Sequence, residues 1–204
     1  MSDTASSRLS PFTGQLPSGR TGRPDGQPGL IVTPRSGLQI VQVAGQPKQL
    51  NDLAKSIAVG MQIAPPLDAN MTSREPGLAA IWSGPCRWLF VSDQNGPSDL
   101  SRQLTDLLAD KPMAVTGLSH ARAVLNISGP HVRDVLSKGC GLDLHPNRFT
   151  PDQSAQTSIA HAAVLIDCCE TDQFDLYVSR SYAAFFAEWL INAGREYGVD
   201  VSEN

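Results

Sequence analysis

The chain has 204 residues, of which 41% are hydrophobic and 18% charged, as is typical of a globular protein that buries a core. Twenty acidic residues against sixteen Lys and Arg give a net charge of −4, which provides no electrostatic reason to expect nucleic acid or an anionic membrane as a partner. Because the sequence has no apolar run of ~20 residues and no secretory-signal pattern at its start, we expect a soluble cytoplasmic protein.

The first 29 residues differ in composition from the rest of the chain. They are rich in Ser, Gly and Pro and poor in aliphatic residues, so they cannot bury enough apolar surface to offset the entropy of ordering. We therefore predict a flexible arm over 1–29, followed by a single domain over 30–204. Within the arm, the apolar side chains of Leu9, Pro11 and Phe12 are predicted to contact a partner protein.

The domain is predicted to begin with a strand, a helix and a loop. The run LQIVQV predicts a strand over 38–43, and apolar residues at helical spacing predict a helix over 50–57, closed by Gly60. The paired prolines that follow lack backbone donors, so 63–77 is predicted to be a loop.

A hairpin and a second helix are predicted next. The short apolar runs 78–82 and 87–91 are separated by Ser83-Gly84-Pro85, which is typical of a turn between two strands. Ser98 or Asp99 then provides an N-cap for an amphipathic helix. Its apolar face comprises Leu100, Leu104, Leu107 and Leu108.

The second half of the domain repeats this alternation. Strands are predicted over 113–118 and 121–127, and period-two alternation places Ala121, Ala123, Leu125 and Ile127 on one face of the second. A short helix over 132–136 and two strands, 161–169 and 173–179, follow. The last helix carries a stripe of large apolar residues, predicted to be core: Tyr182, Phe185, Phe186, Trp189 and Leu190.

The order of these elements predicts the fold class. Strands occur in adjacent pairs between helices, which favours an α+β fold with mixed or antiparallel sheets and packed helices over a doubly wound parallel sheet. The segments that begin at Trp88 and Phe174 share one pattern of strand, Val-Ser, short loop and amphipathic helix. We therefore predict two similar halves.

The stretch LNISGPHVRDVL could hold a phosphate or form a tight corner between a strand and a helix. A phosphate loop needs several glycines whose backbone donors approach the anion, whereas here Pro130 follows Gly129 and removes one donor. Proline at the first turn of a helix loses no hydrogen bond, so the pattern indicates a structural corner.

The remaining reactive residue types form no recognisable catalytic or metal-binding motif. The four cysteines lack metal-ligand spacing and are predicted to be reduced thiols, most of them buried: Cys86, Cys140, Cys168 and Cys169. The histidines are scattered singly, and GxSxG, GxGxxG and Walker patterns are missing from the sequence. The sequence therefore predicts that the chain itself holds no catalytic, cofactor-binding or metal site.

Four stretches together resemble a known family. SRLSPF, GPCRWLFV, LSHARAVLNISGPHVRDVLSKGCGLDLHP and FDLYVSRSYAAFFAEWL are similar to the gamma subunits of heterotetrameric sarcosine oxidases. The resemblance covers roughly 78–191 together with the piece around Pro11, and 119–146 is its most specific part. It implies a fold like that of the folate-binding domain of aminomethyltransferases.

The resemblance also implies a place in an enzyme complex. Such a complex oxidatively demethylates sarcosine to glycine, with hydrogen peroxide and, from tetrahydrofolate, 5,10-methylenetetrahydrofolate as further products. The alpha and beta subunits are expected to hold NAD, FAD, FMN and the folate, and the delta subunit zinc. The gamma-like chain would be a non-catalytic oxidoreductase subunit that docks on alpha.

Two alternatives remain open on the sequence alone. The chain could be a stand-alone folate-binding relative of the aminomethyltransferases, which should need a buried carboxylate for the pterin ring, and the sequence offers no clear one. It could also be the gamma-like subunit of a related dehydrogenase of an N-methyl amino acid such as N-methylglutamate. The substrate-contacting residues would then belong to another subunit.

Overall fold

A computed structural model describes residues 11, 12, 14, 16, 18–23, 25–46 and 50–202. Within these residues the chain forms twelve strands and four α-helices. In chain order, the strands are β1 (Gly19–Thr21), β2 (Leu30–Arg35), β3 (Gln39–Ala44), β4 (Thr72–Glu75), β5 (Leu78–Gly84), β6 (Arg87–Ser92), β7 (Ala114–Gly117), β8 (Arg122–Ser128), β9 (Ser154–Ile159), β10 (Ala162–Glu170), β11 (Gln173–Ser179) and β12 (Val199–Val201). The helices are α1 (Leu50–Met61), α2 (Leu100–Leu107), α3 (Val132–Ser137) and α4 (Ala183–Gly194).

The strands form two sheets whose central topologies match. The smaller sheet has the order β4-β5-β6-β3-β7, and the larger sheet contains β9-β10-β11-β8-β2 in the same relative positions, extended by β12 and β1. In each half a strand and a helix lead into a three-strand meander and a second helix. The predicted α+β fold with two similar halves is therefore confirmed.

Pairing within the sheets is antiparallel, except that β12 pairs parallel with β2. The predicted hairpin is confirmed, since β5 and β6 pair with Trp82 opposite Trp88 and Gly84 opposite Arg87. The turn itself is Pro85-Cys86, because Ser83 and Gly84 belong to β5. This mixed arrangement agrees with the sheet type predicted from the sequence.

Successive side chains of a strand point to opposite faces of its sheet, and each sheet is buried on both faces. The domain therefore has four layers. One face of the smaller sheet packs against α1 and α2, and one face of the larger sheet packs against α3 and α4. The other two faces meet in a third apolar core, which joins Ile40, Ile81 and Leu89 of the smaller sheet to Val124 and Tyr177 of the larger. The sheets are therefore stacked face to face between two helical layers.

Helix α2 begins where its capping residue predicts. The Asp99 side chain accepts a hydrogen bond of 3.1 Å from the backbone N–H of Arg102, which satisfies one donor of the first turn. Leu100 and Leu104 are fully buried on the face that packs against the smaller sheet.

The last helix buries a different face from the predicted one. Phe186 and Leu190 are buried, but Tyr182 and Phe185 are each 49% exposed, so these two residues do not belong to the core. The buried face instead combines Phe186 with small and aliphatic residues at helical spacing: Ala183, Ala187, Leu190, Ile191 and Gly194. The prediction was wrong for Tyr182 and Phe185 because they lie outside the side that approaches the sheet closely, which carries Ala183, Ala187 and Gly194 beside Phe186.

Several strands lie where the sequence predicted none. The predicted loop over 63–77 contains β4, whose sequence TSRE has no apolar alternation and which pairs with the strongly apolar β5. Strand β1 lies within the predicted arm and pairs with β12. Both strands depend on pairing with another strand rather than on their own propensity, β4 with the adjacent β5 and β1 with the distant β12.

The described part of the predicted arm is folded onto the domain, so the structure differs from the predicted boundary between 29 and 30. Besides β1, Phe12 is only 3% exposed and packs in the apolar core of the larger half. A partner could reach Phe12 only if that contact opened. Pro11 is partly buried, and Leu9 lies outside the described residues. The partner contact of these three residues stays a prediction.

The hairpin between β9 and β10 has an unfavourable backbone conformation at its tip. Ile159 pairs with Ala162, so the loop has two residues, Ala160 and His161, with φ of +48° and +67°. Such turns favour Asn-Gly, because side chains at positive φ cost about 1 kcal/mol each. We expect the double variant Ala160→Asn/His161→Gly to raise the free energy of unfolding by about 1 kcal/mol in urea titrations. A loss of stability would show that the His161 side chain makes a contact that outweighs the strain.

Candidate functional site

The corner after β8 is explained by backbone packing. Gly129 has φ of +126°, and a Cβ at this position would lie 2.6 Å from the carbonyl oxygen of Gly29. The backbone N–H of His131 donates to that same oxygen at 3.0 Å. The glycine is therefore required by the close approach of the segment before β2, and the predicted structural corner between strand and helix is confirmed.

The cysteines are unpaired thiols in protected surroundings. Cys86, Cys140 and Cys168 are buried and Cys169 is partly buried, all four in the free form. Burial is the main cause that raises the pKa of Cys168 to about 11, and burial followed by the charge of Asp175 raises that of Cys169. These two thiols stay protonated at neutral pH and are poor nucleophiles. The prediction that most of these thiols are buried is confirmed.

Two buried aspartates mark the most polar part of the space between the sheets. Asp167 on β10 lies directly opposite Asp175 on β11, and the two are 0% and 1% exposed. By alternation they share the inner face of the larger sheet with Leu165 and Tyr177. Like charges opposite one another on paired strands are destabilising, so this carboxylate pair needs specific partners.

Asp167 is held by side chains that come from the other sheet. Arg74 and Thr72, both on β4, donate to its Oδ1 at 2.7 Å and 2.9 Å. Arg74 also donates from Nε to Asp152 at 3.0 Å, so this guanidinium links β4 to two acidic residues of the larger half. Oδ2 of Asp167 is buried and has no hydrogen-bond partner among the described residues.

Asp175 is fully satisfied by its neighbours. Arg35 donates from Nη1 to Oδ2 at 2.5 Å, and Asn126 donates from Nδ2 to Oδ1 at 2.7 Å. Gln173 in turn donates to the amide oxygen of Asn126 at 2.9 Å, and Arg35 lies 3.7 Å from Asp93 in the smaller half. Each member of the carboxylate pair therefore has its own arginine.

Burial changes how readily the carboxylate pair ionises. Desolvation raises the pKa of Asp167, and the charge of Asp175 raises it further, while Arg74 and Thr72 lower it. The net effect moves the pKa of Asp167 from 3.8 to about 6. A buried carboxyl group whose pKa is raised towards neutrality is a typical feature of functional sites and also of structural ion-pair networks.

A polar cleft of about 700 Å³ opens beside these groups. It is lined by charged and amide side chains from both halves, including Arg35, Arg74, Asn126, Gln173 and Asp175. The two arginines that line it are those that hold the carboxylates. Asp175 lines the cleft but already accepts hydrogen bonds from Arg35 and Asn126, and Asp167 is not among the lining residues, so the arrangement favours a structural role.

Sequence reasoning missed this cluster. The available signal was a single aspartate in each of two otherwise apolar strands, VLIDCC and FDLYVS, which are buried on both faces. A charge in such a strand has no access to water and must find a partner. That partner could not be identified, because Arg74 and Asp167 are 93 positions apart.

Neither a metal-binding cluster nor a membrane-spanning helix is found in the part of the chain that the structure describes. Those residues contain no group of three or more His, Cys, Asp or Glu side chains arranged to hold a metal ion. None of the described helices combines the length and the hydropathy needed to cross a membrane.

Comparison with known proteins identifies relatives for most of the chain. The model of the "Sarcosine oxidase, gamma subunit family" matches residues 50–196. The sarcosine oxidase subunit gamma of Corynebacterium sp. (strain P-1) is 32% identical over 124 residues, which are 61% of this chain and 60% of that protein. This chain therefore aligns with less than two thirds of that relative. The subunit gamma of an Arthrobacter species is 32% identical over 161 residues, which are 77% of this chain and 76% of that protein.

Solved structures share the fold. A chain of the heterotetrameric sarcosine oxidase from Corynebacterium sp. U-96 superposes with a TM-score of 0.82 at 23% identity, covering 93% of this chain and 96% of that chain. Aminomethyltransferase T of the glycine cleavage system from Bartonella henselae superposes with a TM-score of 0.65 at 17% identity, covering 86% of this chain and 48% of that one. The predicted likeness in fold to the aminomethyltransferases is confirmed.

Proposed function

The chain belongs to the sarcosine oxidase gamma subunit family. We therefore propose that it is a non-catalytic structural subunit of a heterotetrameric sarcosine oxidase in the cytoplasm. The complex would oxidatively demethylate sarcosine to glycine and produce hydrogen peroxide and 5,10-methylenetetrahydrofolate. The observation that carries the proposal is the family match over 50–196, which spans most of both halves of the fold.

The other subunits would supply the chemistry of this complex. We propose that alpha and beta hold FAD, FMN, NAD and tetrahydrofolate, that delta holds zinc, and that this chain docks on alpha. The internal pairing of Asp167 with Arg74, and of Asp175 with Arg35, supports a structural role, because these charges already have partners within the chain.

Co-expression tests this proposal directly. We expect the chain to co-purify with the other subunits in one stable peak that carries flavin absorbance and sarcosine oxidase activity. The chain purified alone should have neither property. Oxidase activity or bound flavin in the isolated chain would contradict a structural role, and failure to co-purify would contradict the assignment to a complex.

One structural observation bears on the folate-binding alternative. The carboxylate that such a protein would need is present in Asp167 and Asp175, although the sequence alone did not reveal it. Both are engaged by arginines, which favours the structural subunit. Equilibrium titration of the isolated chain with a reduced folate separates the two functions, since micromolar binding would support the alternative. Activity of the complex on N-methylglutamate rather than sarcosine would indicate the related dehydrogenase.

A further inference from the structure

The space between the two stacked sheets has a second polar end. Arg122 of β8 lies four residues before Asn126, which binds Asp175, so alternation places it on the same inner face about 13 Å further along the strand. Arg87 of β6 lies two residues before Leu89, which packs between the sheets, and so it shares the inner face of the smaller sheet. The carboxylate pair and these two arginines therefore occupy opposite ends of the core between the sheets.

A cavity of about 140 Å³ lies at this second end. The smaller sheet contributes Gln42 and Arg87 to its lining, and the larger sheet contributes Arg122 and Gln156. As far as the structure describes the chain, Asp and Glu are absent from the lining. The volume has room for several water molecules or for one small anion. The cavity is therefore polar and carries positive charge without an acidic residue.

Neither of these two guanidinium groups is neutralised within the chain. Among the described residues, the side chains of Arg87 and Arg122 make no ion pair and no hydrogen bond. Arg35 and Arg74, at the other end of the space, are each paired with a buried aspartate. Because a guanidinium presents a planar set of donors that matches the oxygens of a carboxylate or a phosphate, the unpaired arginines can bind such a group.

A buried hydroxyl group in the same lining also lacks a partner. Ser83 is 7% exposed, and its Oγ is buried without a hydrogen-bond partner in the part of the chain that the structure describes. Its backbone carbonyl oxygen accepts a hydrogen bond of 2.5 Å from Nε2 of Gln156, which joins the two sheets beside the cavity. A buried hydroxyl that stays unpaired is destabilising, so a ligand that accepts its hydrogen bond would be favoured.

We propose that this cavity binds a small oxyanion, a phosphate or a carboxylate, between Arg87 and Arg122, with the hydroxyl group of Ser83 as a further donor. The proposal goes beyond the proposed function, because it concerns a ligand of this chain alone. A cation would meet two positive charges without a counter-charge. An apolar ligand would leave both guanidinium groups and the hydroxyl group without partners. The lining therefore selects for a negatively charged acceptor.

The thermal midpoint of the full chain in the presence of small anions tests the proposal. The probes are sodium phosphate and sodium acetate, each compared with sodium chloride at the same ionic strength. At about 10 mM, we expect phosphate, acetate or both to raise the wild-type midpoint by about 3 °C, as for a site with a Kd on the order of 1 mM. Arg87→Gln and Arg122→Gln should each weaken binding at least about 10-fold and reduce the shift to about 1 °C or less.

The matched control is Arg148→Gln, which removes the same charge from an exposed arginine outside the cavity and should keep the wild-type shift. Because Arg87 is exposed, Arg87→Gln provides the test even if replacement of the partly buried Arg122 unfolds the chain. A wild type that responds to neither anion beyond chloride would overturn the proposal. An undiminished shift in Arg87→Gln, or an equal loss in Arg148→Gln, would also overturn it, since the response would then come from salt or from overall charge.

A different occupant would give a different result. If the wild type binds neither anion but Arg87→Gln no longer co-purifies with the other subunits, the arginines bind an acidic side chain of a partner protein, and the small-anion site is overturned.

Discussion

Replacement of Arg74 by alanine should lower the free energy of unfolding by about 3 kcal/mol, the largest effect that we expect from a single substitution. The substitution leaves the carboxylate of Asp167 buried without its charged partner and with only the hydrogen bond from Thr72. It also removes the link from β4 to Asp152. Urea unfolding followed by circular dichroism measures the loss, which should correspond to a fall of roughly 10 °C in the thermal midpoint.

Two further variants test whether the loss arises from the buried charge. Arg102→Ala breaks an exposed ion pair with Asp106 on α2 and should cost less than about 0.5 kcal/mol. Adding Asp167→Leu to Arg74→Ala removes the stranded carboxylate and should recover most of the lost stability. A cost below about 1 kcal/mol for Arg74→Ala alone would mean that Asp167 takes up a proton, or that water reaches it, as soon as the arginine is gone.

Replacement of Asp167 by asparagine should change how stability depends on pH. The pKa of Asp167 is about 6 in the folded chain against an ordinary value of 3.8, so the folded state binds this proton more tightly than the unfolded state. The wild type therefore loses stability from this group as pH rises from about 4 to 6, by roughly 3 kcal/mol. Asparagine keeps an acceptor for Thr72 and Arg74 but carries no charge. The stability of Asp167→Asn relative to wild type should therefore increase by about that amount between pH 4 and pH 7.

The control for this pH effect is the other acid that Arg74 holds. Asp152→Asn removes a carboxylate whose side chain is 54% exposed, so the variant should follow the pH dependence of the wild type closely. Chemical unfolding of the three proteins at pH 4, 5, 6, 7 and 8 gives the comparison. If the difference between Asp167→Asn and wild type stays constant with pH, the carboxyl group of Asp167 does not take up a proton in this range.

Local sequence predicted the elements whose patterns are complete within a few residues. The alternation of Ala123, Leu125 and Ile127 gave β8, and Asp99 followed by spaced leucines gave α2. Strand β4 could not be found in this way, because TSRE has no apolar period and depends on its pairing with β5. A pattern that lies in the neighbouring strand is not visible in the residues of the strand itself.

Dependence on residues distant in sequence also explains why the buried face of α4 and the carboxylate pair were not predicted correctly. In α4 the aromatic residues and the small residues cover overlapping arcs of the helix, and only the sheet beneath decides which arc is buried. The bond from Arg74 to Asp167 and the bond from Arg35 to Asp175 join residues 93 and 140 positions apart. No local rule connects such residues, so the carboxylate pair became recognisable only from the stacked sheets.

The strand order β1-β12-β2 also has a consequence for synthesis of the protein. The smaller sheet uses one continuous stretch, 39–117, and all of its strands and helices are available once that stretch has left the ribosome. The larger sheet combines 19–35 with 122–201. Its strand β12, which lies between β1 and β2 and pairs with both, is missing until residues 199–201 have left the ribosome. The half that carries α4 is therefore completed after the smaller half, once residues 199–201 have been translated.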